Sequence, residues 1–274
     1  MVASAQGVDV SNYQGNYDWA GTHGLSFGLF RLTQGLPGSH MNSPDPTAQW
    51  NHREIFKKGL HRGAYHYNEP SLSGPAQATY FVAEMTKLGI KASDIMVLDH
   101  EDNDNLPPTH VAAQGVAFMK ELDILLPHNP NMVYTFIDFI RQGNCVGMTH
   151  WPLYLAHPGA TSPSAVEERP WTHWFFWQWG VRSVDRDAFN GTAADLDAWI
   201  ASFVPRPQLI RRIADGKSSF ADAVLAVHDT VPHAAKVTIE SVNHYNAVAF
   251  VEYLVTKGPA ALMPPGLVYW TEAV

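Results

Sequence analysis

Acidic residues standing at the ends of apolar runs are the positions in this chain best placed to do chemistry. The densest case is Ile95-Met-Val-Leu-Asp99-His-Glu101-Asp102, an apolar strand that runs straight into acids. Side chains alternate along a strand, so Asp99 and Glu101 share one face and His100 points to the other. Two neighbouring carboxylates resist joint ionisation, and one of them keeps its proton to a higher pH. A protonated acid beside a charged one is what general-acid cleavage of a glycosidic bond needs. The same strip also suits a divalent-metal site or the start of a solvated loop, and spacing alone leaves these open.

Three further segments repeat the pattern. Gly7-Val-Asp9-Val-Ser11-Asn-Tyr-Gln14-Gly15 places Asp9 at the end of an apolar run, with Ser11, Asn12 and Gln14 available to orient it, to bind hydroxyls, or simply to cap a turn. Trp177-Gln178-Trp179 is followed by Val184-Asp185-Arg186-Asp187, a strand with aromatics and then acids. Gly63-Ala-Tyr65-His66-Tyr67 adds aromatics and a histidine. Tyr65, Tyr134 and Trp177 are candidates for stacking on a sugar or contacting its hydroxyls, since an aromatic ring offers an apolar face with a polar tip. A metal-dependent hydrolase would instead recruit Asp99, His100, Asp102 and His66 as hard and imidazole ligands. A regular strand argues against it by turning His100 away from Asp99.

Parallel strands of a β/α barrel point their C-terminal ends at one face, which would gather such acids. Strands are expected at Gly7–Val10, Phe27–Thr33, Gly63–Tyr67, Ile95–Asp99, Met132–Thr135, Leu153–Ala156 and Phe175–Trp179. Helical spacing of apolar residues over Pro75–Leu88 and Pro108–Leu126 supplies outer helices. The class is therefore α/β with a largely parallel sheet. Near Pro205-Arg-Pro207 the pattern breaks, so residues 1–204 are assigned to the barrel and 205–274 to a small extension of wall-targeting or packing role. The extension is expected to be helical over 208–229 and 241–257, with a last apolar run at Leu267–Trp270.

Composition narrows the field. The chain of 274 residues is 46% apolar and only 16% charged, with nine Trp, which argues against disorder. Its formal charge of −8 lies wholly in residues 1–204, with 12 Lys and Arg against 20 Asp and Glu. That sign is wrong for tracking a phosphate backbone, so no nucleic-acid partner is expected. A single Cys145 excludes an internal disulfide and multi-cysteine metal sites. It is expected as a small buried side chain, and no metal or other cofactor is expected. The opening Met-Val-Ala-Ser-Ala-Gln-Gly has neither the basic start nor the apolar stretch of a signal peptide, and no run is long enough for a membrane helix. The expectation is a soluble cytoplasmic product, without membrane insertion and monomeric.

Taken in order, these segments resemble glycoside hydrolase family 25, the lysozymes of bacterial, fungal and phage type. Gly7–Gly15 is similar to the family's opening motif, Phe30-Arg31-Leu-Thr33-Gln34-Gly35 to its second strand and Gly63–Tyr67 to its third. Leu98-Asp99-His100-Glu101 resembles its Asp-x-Glu signature, and Trp177-Gln178-Trp179 with Val184-Asp185 its closing motif. The likeness covers roughly residues 7–200. It implies an irregular TIM-like β/α barrel acting on bacterial peptidoglycan glycan strands, with Glu101 as proton donor, Asp99 as its partner, and Asp9 and Asp185 as further acids. Gln178 and Arg31 join the substrate contacts, although Arg31 stands where the family usually has Lys and Asp187 where Asn is common. A peptidoglycan-binding module without catalysis, or a wider activity on other β-1,4-linked N-acetylhexosamine polymers, remain alternatives on the same fold. An endolysin or tail lysin reaching the wall by phage-mediated release fits the expected lack of a signal peptide.

Overall fold

The computed structural model describes residues 4–40, 43–163 and 170–203, together with two short strands at 238–240 and 268–270. The chain divides into two compact units, Met1–Val204 and Pro205–Val274. In the first, eight strands close into a barrel in sequence order: β1 (Gln6–Val10), β2 (Phe27–Gln34), β3 (His61–Tyr67), β4 (Ile95–Asp99), β5 (Asn131–Phe136), β6 (Leu153–Ala156), β7 (Phe176–Val181) and β8 (Asp185–Phe189). Neighbours from β1 to β7 run parallel, whereas β8 is antiparallel to both β7 and β1. The seven expected strands are all present within one or two residues at each end. The eighth, which carries Asp185 and Asp187, is not among the expected strands.

Strands of a helix-wrapped barrel are buried on both faces and therefore read as nearly continuous apolar runs. Inward-facing Phe27, Leu29, Ile95, Val97, Met132, Tyr154, Phe176 and Phe189 fill the interior. The alternate positions, such as Phe30, Met96, Leu98, Val133 and Leu155, belong to a second cluster with the helices. Those helices are α1 (Ala48–Lys57), α2 (Gly74–Leu88), α3 (Pro108–Leu125), the short α4 (Ile137–Arg141) and α5 (Ala193–Phe203). Both expected helices are observed as α2 and α3, each opening with Pro in its first turn, where a missing N–H costs nothing. Helix α2 ends at Gly89, whose φ of 86° is the left-handed cap that glycine adopts without strain.

Leu196 and Ile200 of α5 join the interior cluster, and Trp199 lies against Phe176 and Phe189. Phe176 begins β7 and Phe189 ends the antiparallel β8, so α5 covers the end of the barrel opposite the C-terminal ends of β1–β7. The mouth at the other end is left for chemistry. Cys145 is buried beside Thr135, and burial pushes its thiol up to about 12, as expected of a packing residue. Trp19, Trp151 and Trp171 are likewise core.

In the second unit the described residues form an antiparallel pair, β9 (Thr238–Glu240) with β10 (Val268–Trp270). The helices expected at 208–229 and 241–257 fall outside the described residues. Among the described residues no helix is long and apolar enough to cross a membrane.

Phe176 is fully buried and touches Phe27, Tyr154, Phe189 and Trp199. Phe176→Ala should destabilise the barrel by about 3–5 kcal/mol, read as a lowered urea midpoint with unchanged slope. A loss under about 1 kcal/mol would mean that this end of the barrel is not the packed plug described.

Candidate active site

At the barrel mouth a cavity of about 180 Å³ is lined by Asp9, Asp99, Glu101 and Asp185, with Arg31, Tyr65, Tyr134 and Gln178 around them. Thus eight of the nine residues singled out from the sequence converge. Each strand contributes its inward positions. Asp9 is on β1, Arg31 on β2, Tyr65 on β3, Asp99 on β4, Tyr134 on β5, Gln178 on β7 and Asp185 on β8. Glu101 follows β4 by two residues and keeps the same side as Asp99, whereas His100 turns away.

Trp177 is the exception. It precedes the inward-facing Gln178 and so must face outward. Its indole N–H donates to the His157 carbonyl at 3.1 Å and its ring lies beside Trp174. It is not among the residues lining the cavity, and the stacking role expected for it is withdrawn. Ser11 and Gln14 do line the cavity, but neither orients Asp9. Ser11 caps the 3-10 turn Asn12–Gln14, and the Gln14 side chain accepts the Ser11 backbone N–H at 2.8 Å in a reciprocal capping box.

Buried acids dominate the electrostatics. Asp9 Oδ2 accepts from Gln178 Nε2 at 2.9 Å and lies 3.1 Å from the Tyr154 hydroxyl, which is also 2.6 Å from Asp187 Oδ1. A tyrosine hydroxyl has one proton to give. It can serve both acids only if one of them is protonated and donates back. Burial, reinforced by the charge of Asp9, holds the Asp187 carboxyl well above the usual range, and its Oδ2 is buried without a hydrogen-bond partner among the described residues. Asp9 is itself raised to about 7 by burial and then by Asp185. Tyr134 donates to Gln178 Oε1 at 3.0 Å, fixing which end of that amide meets Asp9.

Asp99 is held well above its ordinary value by burial, then by Glu101 and Asp9, with Arg31 opposing. Its Oδ1 is buried without a hydrogen-bond partner among the described residues. Glu101 is raised by burial first and by Asp102 and Asp185 next, and Asp185 by its own burial. Arg31 is the cation lining this cavity, and it is tied down: Nε donates to Asp45 Oδ2 at 3.1 Å and Nη2 to Asn12 Oδ1. Asp45 also accepts from the Asn12 and Thr47 backbones and the Thr47 hydroxyl, which sets its position. Arg31 rather than Lys is intelligible here, because a guanidinium can meet Asp45 and Asn12 with separate N–H groups.

The imidazoles of the metal reading are committed elsewhere. His100 is buried between Asn68 Nδ2, at 2.9 Å from Nδ1, and the Asn144 carbonyl, at 2.9 Å from Nε2. Gly115 makes room for it, since a Cβ there would come 2.9 Å from His100 Cε1. His66 is held between Thr33 and Gln77 at 2.8 and 3.0 Å. Burial lowers both histidines to about 4, so they stay neutral. Neither shares a site with Asp99, and no cluster able to hold a metal is found among the described residues.

Tyr154, Tyr67, Asp45 and the proton-holding role of Asp187 escaped sequence reasoning. Tyr67 lay inside a quoted motif, at an inward position two residues after Tyr65, and alternation alone would have found it. Tyr154 and Asp45 act through partners distant in the chain and leave no local pattern.

A closed α/β barrel whose mouth assembles acids of raised proton affinity around an open cavity has the parts that acid-assisted hydrolysis of a glycosidic bond requires. The family model for glycosyl hydrolases family 25 matches residues 8–188, and the chain belongs to that family. It is 26% identical to Lysozyme M1 of Streptomyces globisporus over 71% of this chain and 70% of that enzyme. It is also 26% identical to the N,O-diacetylmuramidase of Chalaropsis, over 69% of this chain and 92% of the relative. The bacterial lysozyme structure from Streptomyces coelicolor superposes with a TM-score of 0.64 at 27% identity, covering 73% of this chain and 99% of that one.

Raised carboxyls leave the folded protein holding more protons than the unfolded chain between about pH 4 and pH 7. Their contribution to stability therefore falls as pH rises through that window, opposed below about pH 6.5 by His66 and His100, which are buried neutral and contribute in the other direction. Asp187→Asn keeps a partner for Tyr154 while removing one buried acid. It should raise the melting temperature at pH 7, with a gain over wild type that grows from pH 4 to pH 7. A variant that melts lower at pH 7, with the slope unchanged, would show Asp187 to be a favourably ionised group instead.

Proposed function

We propose that the chain is an N-acetylmuramidase that cleaves the β-1,4 bond between N-acetylmuramic acid and N-acetylglucosamine in bacterial peptidoglycan, with Glu101 as general acid and Asp99 as its partner. One observation carries this reading: Glu101 and Asp99 share the cavity while burial and neighbouring acids raise the proton affinity of both. The curated relatives named lysozyme and N,O-diacetylmuramidase support the same substrate.

In this mechanism protonated Glu101 donates to the glycosidic oxygen as the bond from the muramic C1 breaks, and positive charge builds on the sugar ring. Asp99 either stabilises that charge or holds the substrate's 2-acetamido group so that its carbonyl oxygen attacks C1. Asp9 or Asp185 acting as base on a water would instead invert the anomeric centre. Tyr65, raised by burial and nearby acids, keeps its hydroxyl proton and can donate to a sugar oxygen, whereas Tyr134, whose proton goes to Gln178 Oε1, can only accept from a sugar hydroxyl. Delivery to the wall by a phage, as endolysin or tail lysin, is the setting we attach to this reading.

Glu101→Gln is nearly isosteric and cannot donate a carboxyl proton. It should lower release of new reducing ends from purified walls by at least about a thousandfold, toward the combined contribution of general-acid catalysis and electrostatics. Sedimentation with walls should be retained. Full activity in the variant would sink the assignment of the donor. Wild-type protein that sediments with walls yet releases no reducing ends would make the chain a binding module.

A further inference from the structure

The hairpin that joins β7 to β8 has two faces. One turns Gln178 and Asp185 into the cavity. The other carries a second groove, lined by Trp179, Gly180, Arg182 and Arg186 together with the 158–160 loop. Arg186 stands between Asp185 and Asp187 in sequence, and alternation sends it to the outer side of the same strand.

Residues 1–204 are rich in carboxylates, and the barrel arginines generally find one. Arg31 pairs with Asp45, Arg53 with Glu54, Arg62 with Asp94 and Arg141 with Asp138. Arg182 and Arg186 are without a carboxylate or hydrogen-bond partner among the described residues, and both lie in this groove. The groove also exposes apolar side chains: Trp179 is 38% and Val181 52% exposed. Gly180 keeps the stem of Arg186 clear, since a Cβ there would stand 3.3 Å from Arg186 Cβ.

An occupant must therefore bring anions, suit an apolar floor, and belong to whatever fills the cavity across the hairpin. We propose that this groove binds the free carboxylates of the short peptide attached to the lactyl group of each muramic sugar, an inference that rests on the muramidase reading. Such a stem combines small apolar residues with carboxylates, and a guanidinium fork meets a carboxylate with two parallel N–H groups. A phosphate-bearing wall polymer would satisfy the arginines but offers nothing to Trp179 and Val181.

The test measures binding separately from cleavage, in the Glu101→Gln protein. Soluble glycan fragments bearing stem peptides should bind about tenfold more tightly than the same fragments stripped of peptide by an amidase. Arg182→Gln with Arg186→Gln should abolish that difference while leaving the affinity for stripped glycan unchanged. Arg182→Lys with Arg186→Lys should restore part of it. No advantage for peptide-bearing fragments, or an advantage that survives the double Gln substitution, would overturn the proposal. So would a double variant that loses affinity only for a soluble glycerol-phosphate polymer. Release of reducing ends by the wild-type enzyme, measured alongside, judges the muramidase reading independently.

Discussion

Asp9, Asp99 and Asp187 are each buried inside one closed barrel, with Glu101 and Asp185 at its rim, and the interior cannot hold all of these groups ionised. Removing a carboxylate from water costs several kcal/mol unless charge or hydrogen bonds compensate, and the cation of this cavity, Arg31, is already shared with Asp45. The protein meets the constraint by keeping protons. Asp187, which shares Tyr154 with Asp9, and likewise Asp99 and Glu101, hold their protons to higher pH than free side chains. A store of protons at the mouth is what a general acid requires, so the electrostatic cost of the fold and its chemistry have one origin.

The antiparallel β8 is the device that concentrates these acids. A parallel strand in that place would present its C-terminal end to the mouth. Running the other way, β8 starts there, and Asp185 and Asp187 enter from its first residues opposite Asp9 and Gly7 of β1. The hairpin needed to reverse the chain also leaves an outer face at the mouth, on which Arg182 and Arg186 stand. Alternation along β3 and β4 separates the charged cavity from the neutral, hydrogen-bonded His66 and His100, each one residue away from inward-facing side chains.

Much of this was legible in the sequence because apolar runs ending in acids are unusual and because alternation fixes which neighbours share a face. Asp9, Asp99, Glu101 and Asp185 were found that way. Trp177 was misplaced for want of the same rule, since it and Gln178 cannot both face inward. Strand β8 was missed because Asp185-Arg-Asp-Ala-Phe189 places three charges in five residues, and its strand character comes from pairing with β1 and β7 rather than from local propensity. Asp45 and Tyr154 were invisible for a different reason. They serve Arg31 and Asp9 across 14 and 145 residues of chain, a distance at which no local pattern survives.

Site-resolved titration of the Asp and Glu carboxyl carbons by 13C NMR measures the retained protons themselves. Asp9 should titrate near 7, Glu101 above the glutamate reference of about 4.3, and Asp99 and Asp187 well above the aspartate reference of about 3.9. Their curves should be broadened by mutual coupling. If all four titrate as independent groups at their reference values, the cavity is not the proton-holding site described, and Glu101 has no basis in this structure for acting as the acid at neutral pH.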